Sequence, residues 1–284
     1  SNAVSAEKLD AFINEAGYDK VILVAHSMGG LVASGYMAIG EEQTNRVKNV
    51  FYLASPLAGT PATIDVWYNQ DFSFLPGSDA FWEMFDNLKF LLSVATLTSS
   101  PLQKLMSSYV SVYELLPNQH YLSLTDITYI NTKVIVPVDN GSDEVEIGDT
   151  DILIEMVDTY TESMNILSNV LPYFNNALMT KAENFHDSCF SVDGHISNST
   201  NAHYIYAEGM DTVIKFIYMY SEVDETYEPE FWLDLPTDDG DSLVPKWSAT
   251  LNSTINALEL FGDHMSPVND SDSWYYIKNI ILEQ

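Results

Sequence analysis

The chain has 284 residues, with 11 Lys and Arg against 41 Asp and Glu, a net charge of −30. Its 46% hydrophobic and 12% aromatic content excludes disorder, and the length suffices for one large α/β domain or two modest ones. A pI near 4.1 excludes nucleic acid as a partner and docking to an anionic membrane by charge, so any lipid contact has to be hydrophobic.

The one cysteine, Cys189, forms no internal disulfide, and no cysteine pair exists to hold a structural zinc. No apolar run approaches the ~20 residues of a membrane-spanning helix. The longest candidate, residues 90–97, is short and broken by Ser93 and Thr96. Ser1-Asn2-Ala3 reads as a remnant of cloning rather than native sequence, so the expectation is that a signal peptide, or something larger, once preceded it. The expected location is the exterior or cell envelope of a bacterium, with the cytoplasm as the alternative.

Leu9, Phe12, Ile13 and Ala16 recur at helical spacing over residues 6–16, and Gly17 ends that helix. Residues 20–25 read as a buried parallel strand, because Val21, Ile22, Leu23 and Val24 run without alternation. His26-Ser27-Met28-Gly29-Gly30 follows, then a helix over 31–39 closed by Gly40 and a second apolar strand over 47–53. Strand, turn, helix, strand is one βαβ unit of a parallel sheet.

From residue 62 to about 199, aromatic-rich helical patterns alternate with polar loops. Residues 133–138 read as a Val/Ile strand and 139–151 as an acidic turn. Ile154, Val157, Met164, Leu167 and Leu171 keep helical spacing over 151–179, with Pro172 a kink or break. The α/β rhythm resumes at 202–207 and 231–235, and a terminal helix begins near Trp274. The expected organisation is an α/β core over 1–61, a cap or lid insertion over 62–199, and the rest of the core over 200–284.

A buried strand running into His26-Ser27-Met28-Gly29-Gly30 and then a helix is the setting of a nucleophile elbow. Small residues flank such a serine because its backbone is strained and strand and helix approach closely; the usual first glycine is Ala25 here. The turn lifts the hydroxyl above the sheet, and the next helix's N-terminus, with the Met28 backbone N–H, is aimed at a developing oxyanion. The base follows from chain order, serine then acid then histidine. Of the six histidines, His26 adjoins the serine and is expected to direct its ring away from it. His120, His186, His195 and His203 precede the late acidic cluster, leaving His264. For the acid, Asp238, Asp239 and Asp241 compete; Asp241 is favoured because it precedes a Ser-Leu-Val-Pro stretch that turns back to the core.

Four further motifs fall in order around these residues: Ala54-Ser55-Pro56-Leu57-Ala58-Gly59-Thr60, Tyr113-Glu114-Leu115-Leu116-Pro117-Asn118, Gly240-Asp241-Ser242-Leu243-Val244-Pro245 and the late His264. With Ala-His-Ser-Met-Gly-Gly, the set resembles the lecithin–cholesterol acyltransferase-like branch of α/β-hydrolases, which includes bacterial lipases. The resemblance implies an α/β-hydrolase fold, a parallel sheet with helices on both faces and a large, mostly helical cap. It implies Ser27 as nucleophile, Asp241 as acid and His264 as base, with no cofactor and no metal. Gly-Asp-Ser-Leu-Val-Pro departs from the family's Gly-Asp-Gly-Thr-Val-Pro. Because the elbow of such folds follows the fifth strand, the resemblance also implies that the N-terminal part of the fold is missing. The 20–25 strand is then a sheet edge, covered by a homodimer or by the 133–138 strand.

Trp67, Phe72, Phe74 and Trp82, with Leu116, are the expected lining of an acyl-chain cavity or lid that touches a lipid surface; the bland reading is the insertion's own core. His186, Asp187, Asp193 and His195 fit no familiar metal spacing. The expected activity is a serine esterase or lipase cleaving lipid acyl esters through an acyl-enzyme. Acyl transfer to an alcohol, and a non-catalytic lipid-binding domain retaining the elbow, stay open as alternatives.

Overall fold

The computed structural model describes residues 1–69, 101–125, 130–137, 150–156, 159–190, 201–221, 230–233 and 239–283. Helix α1 (Asn2–Ala16) is capped by Ser1 and closed by Gly17 at φ 72°. Strand β1 (Val21–His26) leads through Ser27 into α2 (Gly29–Ala38). Helix α3 (Glu41–Arg46) then feeds β2 (Val47–Leu53), whose Val50, Phe51, Tyr52 and Leu53 are buried. The βαβ unit read from the sequence is present.

Four short helices follow: α4 (Ala62–Tyr68), α5 (Pro101–Met106), α6 (Val110–Tyr113) and α7 (Gln119–Thr125). Strands β3 (Ile130–Pro137) and β4 (Thr150–Met156) precede α8 (Tyr160–Val170) and α9 (Asn176–Cys189). Next come β5 (Ala202–Glu208), β6 (Phe216–Ser221) and β7 (Glu230–Leu233). The chain ends with α10 (Lys246–Thr250), β8 (Ala257–Phe261), α11 (Ser266–Asn269) and α12 (Ser271–Leu282).

The first sheet is parallel throughout, in the order β1-β2-β5-β8. Alternation along its strands divides the core. Val50, Tyr52 and Tyr204 join α1, α2 and α9 on one face, while Phe51, Leu53, Ile205 and Ala207 meet Ile277 of α12 on the other. Helices therefore cover both faces. The second sheet has the order β4-β3-β6-β7, with β3 antiparallel to β4 and parallel to β6.

The structure corrects four expectations. Residues 231–233 belong to β7 in the second sheet, so the fourth strand of the parallel sheet is β8 instead. Its half-exposed pattern, with Phe261 81% exposed, lacks the continuous apolar run that marks a central strand. Residues 133–137 lie in β3 between β4 and β6, not beside β1; among the described residues, β2 is the one strand that pairs with β1. Ile154 lies in β4 rather than in a helix, which begins at Tyr160 and breaks around Pro172 before α9. The second sheet also draws strands from both sides of residue 200.

Close packing explains the small residues of α2. A Cβ at Gly30 would stand 2.3 Å from Ser55 Oγ, and one at Gly35 would stand 2.9 Å from the Phe185 ring. Gly59, at φ 85°, lets its loop lie against the Leu116 carbonyl, 2.1 Å from where a Cβ would sit. Among the described residues no helix is long and apolar enough to cross a membrane.

Candidate active site

Ser27 occupies the left-handed region at φ 54°, the sharp turn between β1 and α2. Its N–H donates to the Leu53 carbonyl at 2.9 Å, and its own carbonyl accepts from Gly30 N–H at 2.9 Å. A non-glycine residue there carries strain on the order of 1–3 kcal/mol, held by the strand and helix on either side. Ala25 fits where glycine is usual: even a Cβ built at Gly29 would meet its methyl at an ordinary 3.9 Å. The Met28 N–H lies at the N-terminal end of α2.

Asp241 stands beyond the end of β5, bridged to Met210, in a loop that follows β7 at a distance in sequence. It is 1% exposed. Its Oδ1 accepts from Leu243 N–H (3.0 Å) and Val244 N–H (2.7 Å), leaving Oδ2 to face His264 Nδ1 at 2.9 Å. Of the competing acids, Asp239 pairs with Lys246 at 2.7 Å, and Asp238 lies outside the described residues. Thr212 holds the loop from below, its hydroxyl accepting from Ser242 N–H and donating to the Met210 carbonyl.

His264 follows β8 in a turn built by Asp263, whose carboxylate accepts from Met265 N–H and Ser266 Oγ. The ring is buried, and Nε2 has no hydrogen-bond partner among the described residues. With Nδ1 donating to Asp241, Nε2 carries the lone pair, the arrangement of a general base. Ser27 Oγ makes no hydrogen bond to Nε2 in this structure; catalytic hydrogen bonds of this kind often form only when substrate binds.

A cavity of about 200 Å³ opens beside Ser27 and Met28, lined by Pro56, Thr60, Ala62, Thr63, Val66, Met106, Val112, Leu115, Leu243 and Val244. The two threonine hydroxyls are engaged elsewhere: Thr60 Oγ1 donates to the Leu243 carbonyl and Thr63 Oγ1 to that of Leu115. Both therefore contribute little polarity to the cavity, which fits an apolar group. Trp67 and Leu116 sit one residue behind Val66 and Leu115, fully buried, with Trp67 edge-on to Tyr113 at 5.0 Å. Phe72, Phe74 and Trp82 lie outside the described residues.

His26 is the residue that sequence reasoning set aside. Its Nε2 donates to the His264 backbone carbonyl at 3.0 Å, and the two rings lie 4.9 Å apart. Burial pushes its pKa below the ordinary histidine value. Both ring nitrogens of His186 are engaged, by Asn118 (3.1 Å) and the Glu114 carbonyl (2.9 Å). Among the described residues no group of three His, Cys, Asp or Glu gathers as metal ligands.

Over residues 8–142, just under half of the chain, the sequence matches a PGAP1-like alpha/beta domain; the span takes in β1, the Ser27 turn and α4. No curated protein matches it. Among solved structures it is similar to a chain of "The crystal structure of Tle4-Tli4 complex", with TM-score 0.59 at 16% identity. That match covers 100% of this chain and 66% of the other. The likeness is one of fold, and the fold is of the α/β-hydrolase type.

Proposed function

We propose that the chain is a serine esterase acting on esters of an apolar acyl group, lipid esters among them, through an acyl-enzyme. One observation carries the reading: the buried Asp241–His264 pair, with Nε2 unpartnered, is tied to the strand end that bears the strained Ser27. The cavity against Ser27 and the motif resemblance to the lecithin–cholesterol acyltransferase-like branch support it, as does the match to a PGAP1-like alpha/beta domain.

In this mechanism Ser27 Oγ attacks the ester carbonyl while His264 Nε2 takes its proton. Asp241 holds the imidazole in the tautomer with Nδ1–H and stabilises the imidazolium that forms. The Met28 N–H, at the start of α2, donates to the developing oxyanion. His264 then passes the proton to the leaving alcohol, and water, activated by the same nitrogen, releases the acid. Ala62, Thr63, Val66, Met106, Val112 and Leu115, all from the 62–199 segment, supply about half of the acyl cavity's lining.

A fluorophosphonate probe tests the proposal. The wild-type chain should label at Ser27 and Ser27→Ala should not, with ester hydrolysis lost in parallel. An unlabelled, inert wild-type protein would overturn it in favour of a lipid-binding domain.

A further inference from the structure

Three consecutive turns of backbone follow the β8 strand, and one of them lacks its donor. Ser266 N–H bonds the Asp263 carbonyl at 2.9 Å, and Val268 N–H bonds the Met265 carbonyl at 3.1 Å. The bond between them, from residue 267 to the His264 carbonyl, cannot form because residue 267 is proline and has no N–H. The His264 carbonyl is accordingly left for a donor from elsewhere. His26 Nε2 supplies it at 3.0 Å. A carbonyl only accepts, so the proton lies on His26 Nε2.

We propose that His26 is a positioning residue: its ring N–H substitutes for the backbone donor missing at Pro267 and fixes His264 relative to Ser27. This rests on the reading of Ser27, Asp241 and His264 as a triad. The geometric reason for a side chain here is direct. His26 is the last residue of β1 and the immediate neighbour of Ser27, so one hydrogen bond joins the element carrying the nucleophile to the loop carrying the base. Asp241 holds the far side of the same ring through Nδ1. His264 is thus gripped at its backbone from the nucleophile side and at its ring from the acid side. Its remaining nitrogen, Nε2, is the one left free for chemistry.

The test compares donor-removing and donor-restoring variants on a p-nitrophenyl ester and a fluorophosphonate. His26→Phe keeps a ring against His264 but no donor. It should lower kcat by ~10- to 100-fold with KM within ~3-fold, and slow Ser27 labelling by a similar factor, as expected for a sub-ångström displacement of a base. His26→Gln returns an N–H at similar reach and should recover most of the loss. Adding Pro267→Ala to His26→Phe restores the backbone donor from the opposite side and should recover activity too. Wild-type kcat in His26→Phe, a loss carried by KM, or no recovery in either donor-restoring variant would overturn the proposal. Should His26→Phe fail to fold, His26→Leu takes its place as the donor-free variant, alone and with Pro267→Ala. Labelling ~10-fold or more slower in folded His26→Leu, recovered by the added Pro267→Ala, supports the proposal, and wild-type labelling in folded His26→Leu overturns it. A wild-type protein that neither labels nor hydrolyses esters fails the triad reading itself, whereas labelling that is indifferent to all these changes fails only the role of His26.

Discussion

Val244 donates its backbone N–H to Asp241 Oδ1 at 2.7 Å and lines the cavity beside Ser27, so one residue fixes the acid and shapes the space next to the nucleophile. Leu243 does the same from the adjoining position. The acid loop is thereby part of the cavity wall, and the orientation of the Asp241 carboxylate is set before any substrate arrives. Asp241→Asn keeps the shape and one acceptor oxygen for these N–H groups. Its amide would then face His264 Nδ1 with a donor, forcing the proton onto Nε2 and removing the base. The expected loss in kcat is about 10³-fold or more, with little change in thermal stability. Stopped or steady-state ester assays beside a melting curve check both halves; a kcat within tenfold of wild type would take Asp241 out of the acid role.

Val66 projects from α4 into the same cavity, whose volume is about 200 Å³. Replacing it by tryptophan fills much of that space. The ratio of hexanoate to acetate kcat/KM should drop at least ~10-fold, since each buried CH₂ contributes about 0.8 kcal/mol to the longer ester in the open cavity. Rates on p-nitrophenyl acetate and hexanoate give the ratio directly. An unchanged ratio would mean that acyl groups bind elsewhere.

The βαβ unit and the Ser27 turn were legible because their signals are local: an unbroken apolar strand, Gly and Ala where backbones touch, and helical spacing in α2. His264 and Asp241 were reached through chain order, and the structure brings those two together at 2.9 Å. What escaped was set by tertiary context. Strand β8 is an edge strand whose Glu259 and Phe261 face outward, so it lacks the apolar run of β2. The segment at 231–233 carries strand-like residues that serve either sheet, and only its pairing with β6 assigns it. The His26 contact spans 238 positions of sequence and depends on Pro267, a residue that reads as a mere turn former. Trp67, an evident aromatic anchor, proves to be core, and its small neighbour Val66 reaches the cavity.

Gly30 lies at the start of α2 with Ser55 so close that a Cβ would stand 2.3 Å from Oγ and 2.4 Å from the Ser55 Cβ. Gly30→Ala should destabilise the fold by about 1–3 kcal/mol and disturb the Ser27 turn, because the β2–α4 loop has to shift. Ser55→Gly in the same chain removes both clashing atoms and should restore part of the loss. Urea unfolding of the two single variants and the double gives the coupling. Additive costs would show that the clash is relieved some other way.

The buried His186 gives the fold a defined weakness toward acid. Asn118 Nδ2 donates to its Nδ1, and its Nε2 donates to the Glu114 carbonyl, so both ring positions are matched to the neutral form. A second ring proton would point at the Asn118 amide donor. Burial pushes the pKa down to about 4, from an ordinary 6.5. Below 6.5 the unfolded chain takes up a proton that the folded chain refuses, so stability falls as pH drops and the loss levels off near 4. The gap corresponds to about 3 kcal/mol between neutral pH and the end of that window. Burial also lowers the pKa of His26, His120 and His203, which adds to the trend in the same direction. Urea unfolding of wild type and His186→Gln at pH 7.5 and pH 4.5 separates the contributions. The variant should start less stable at pH 7.5, having lost a matched buried pair of hydrogen bonds, yet lose less on acidification than wild type does. Parallel curves for the two proteins would show that His186 does not carry the acid sensitivity.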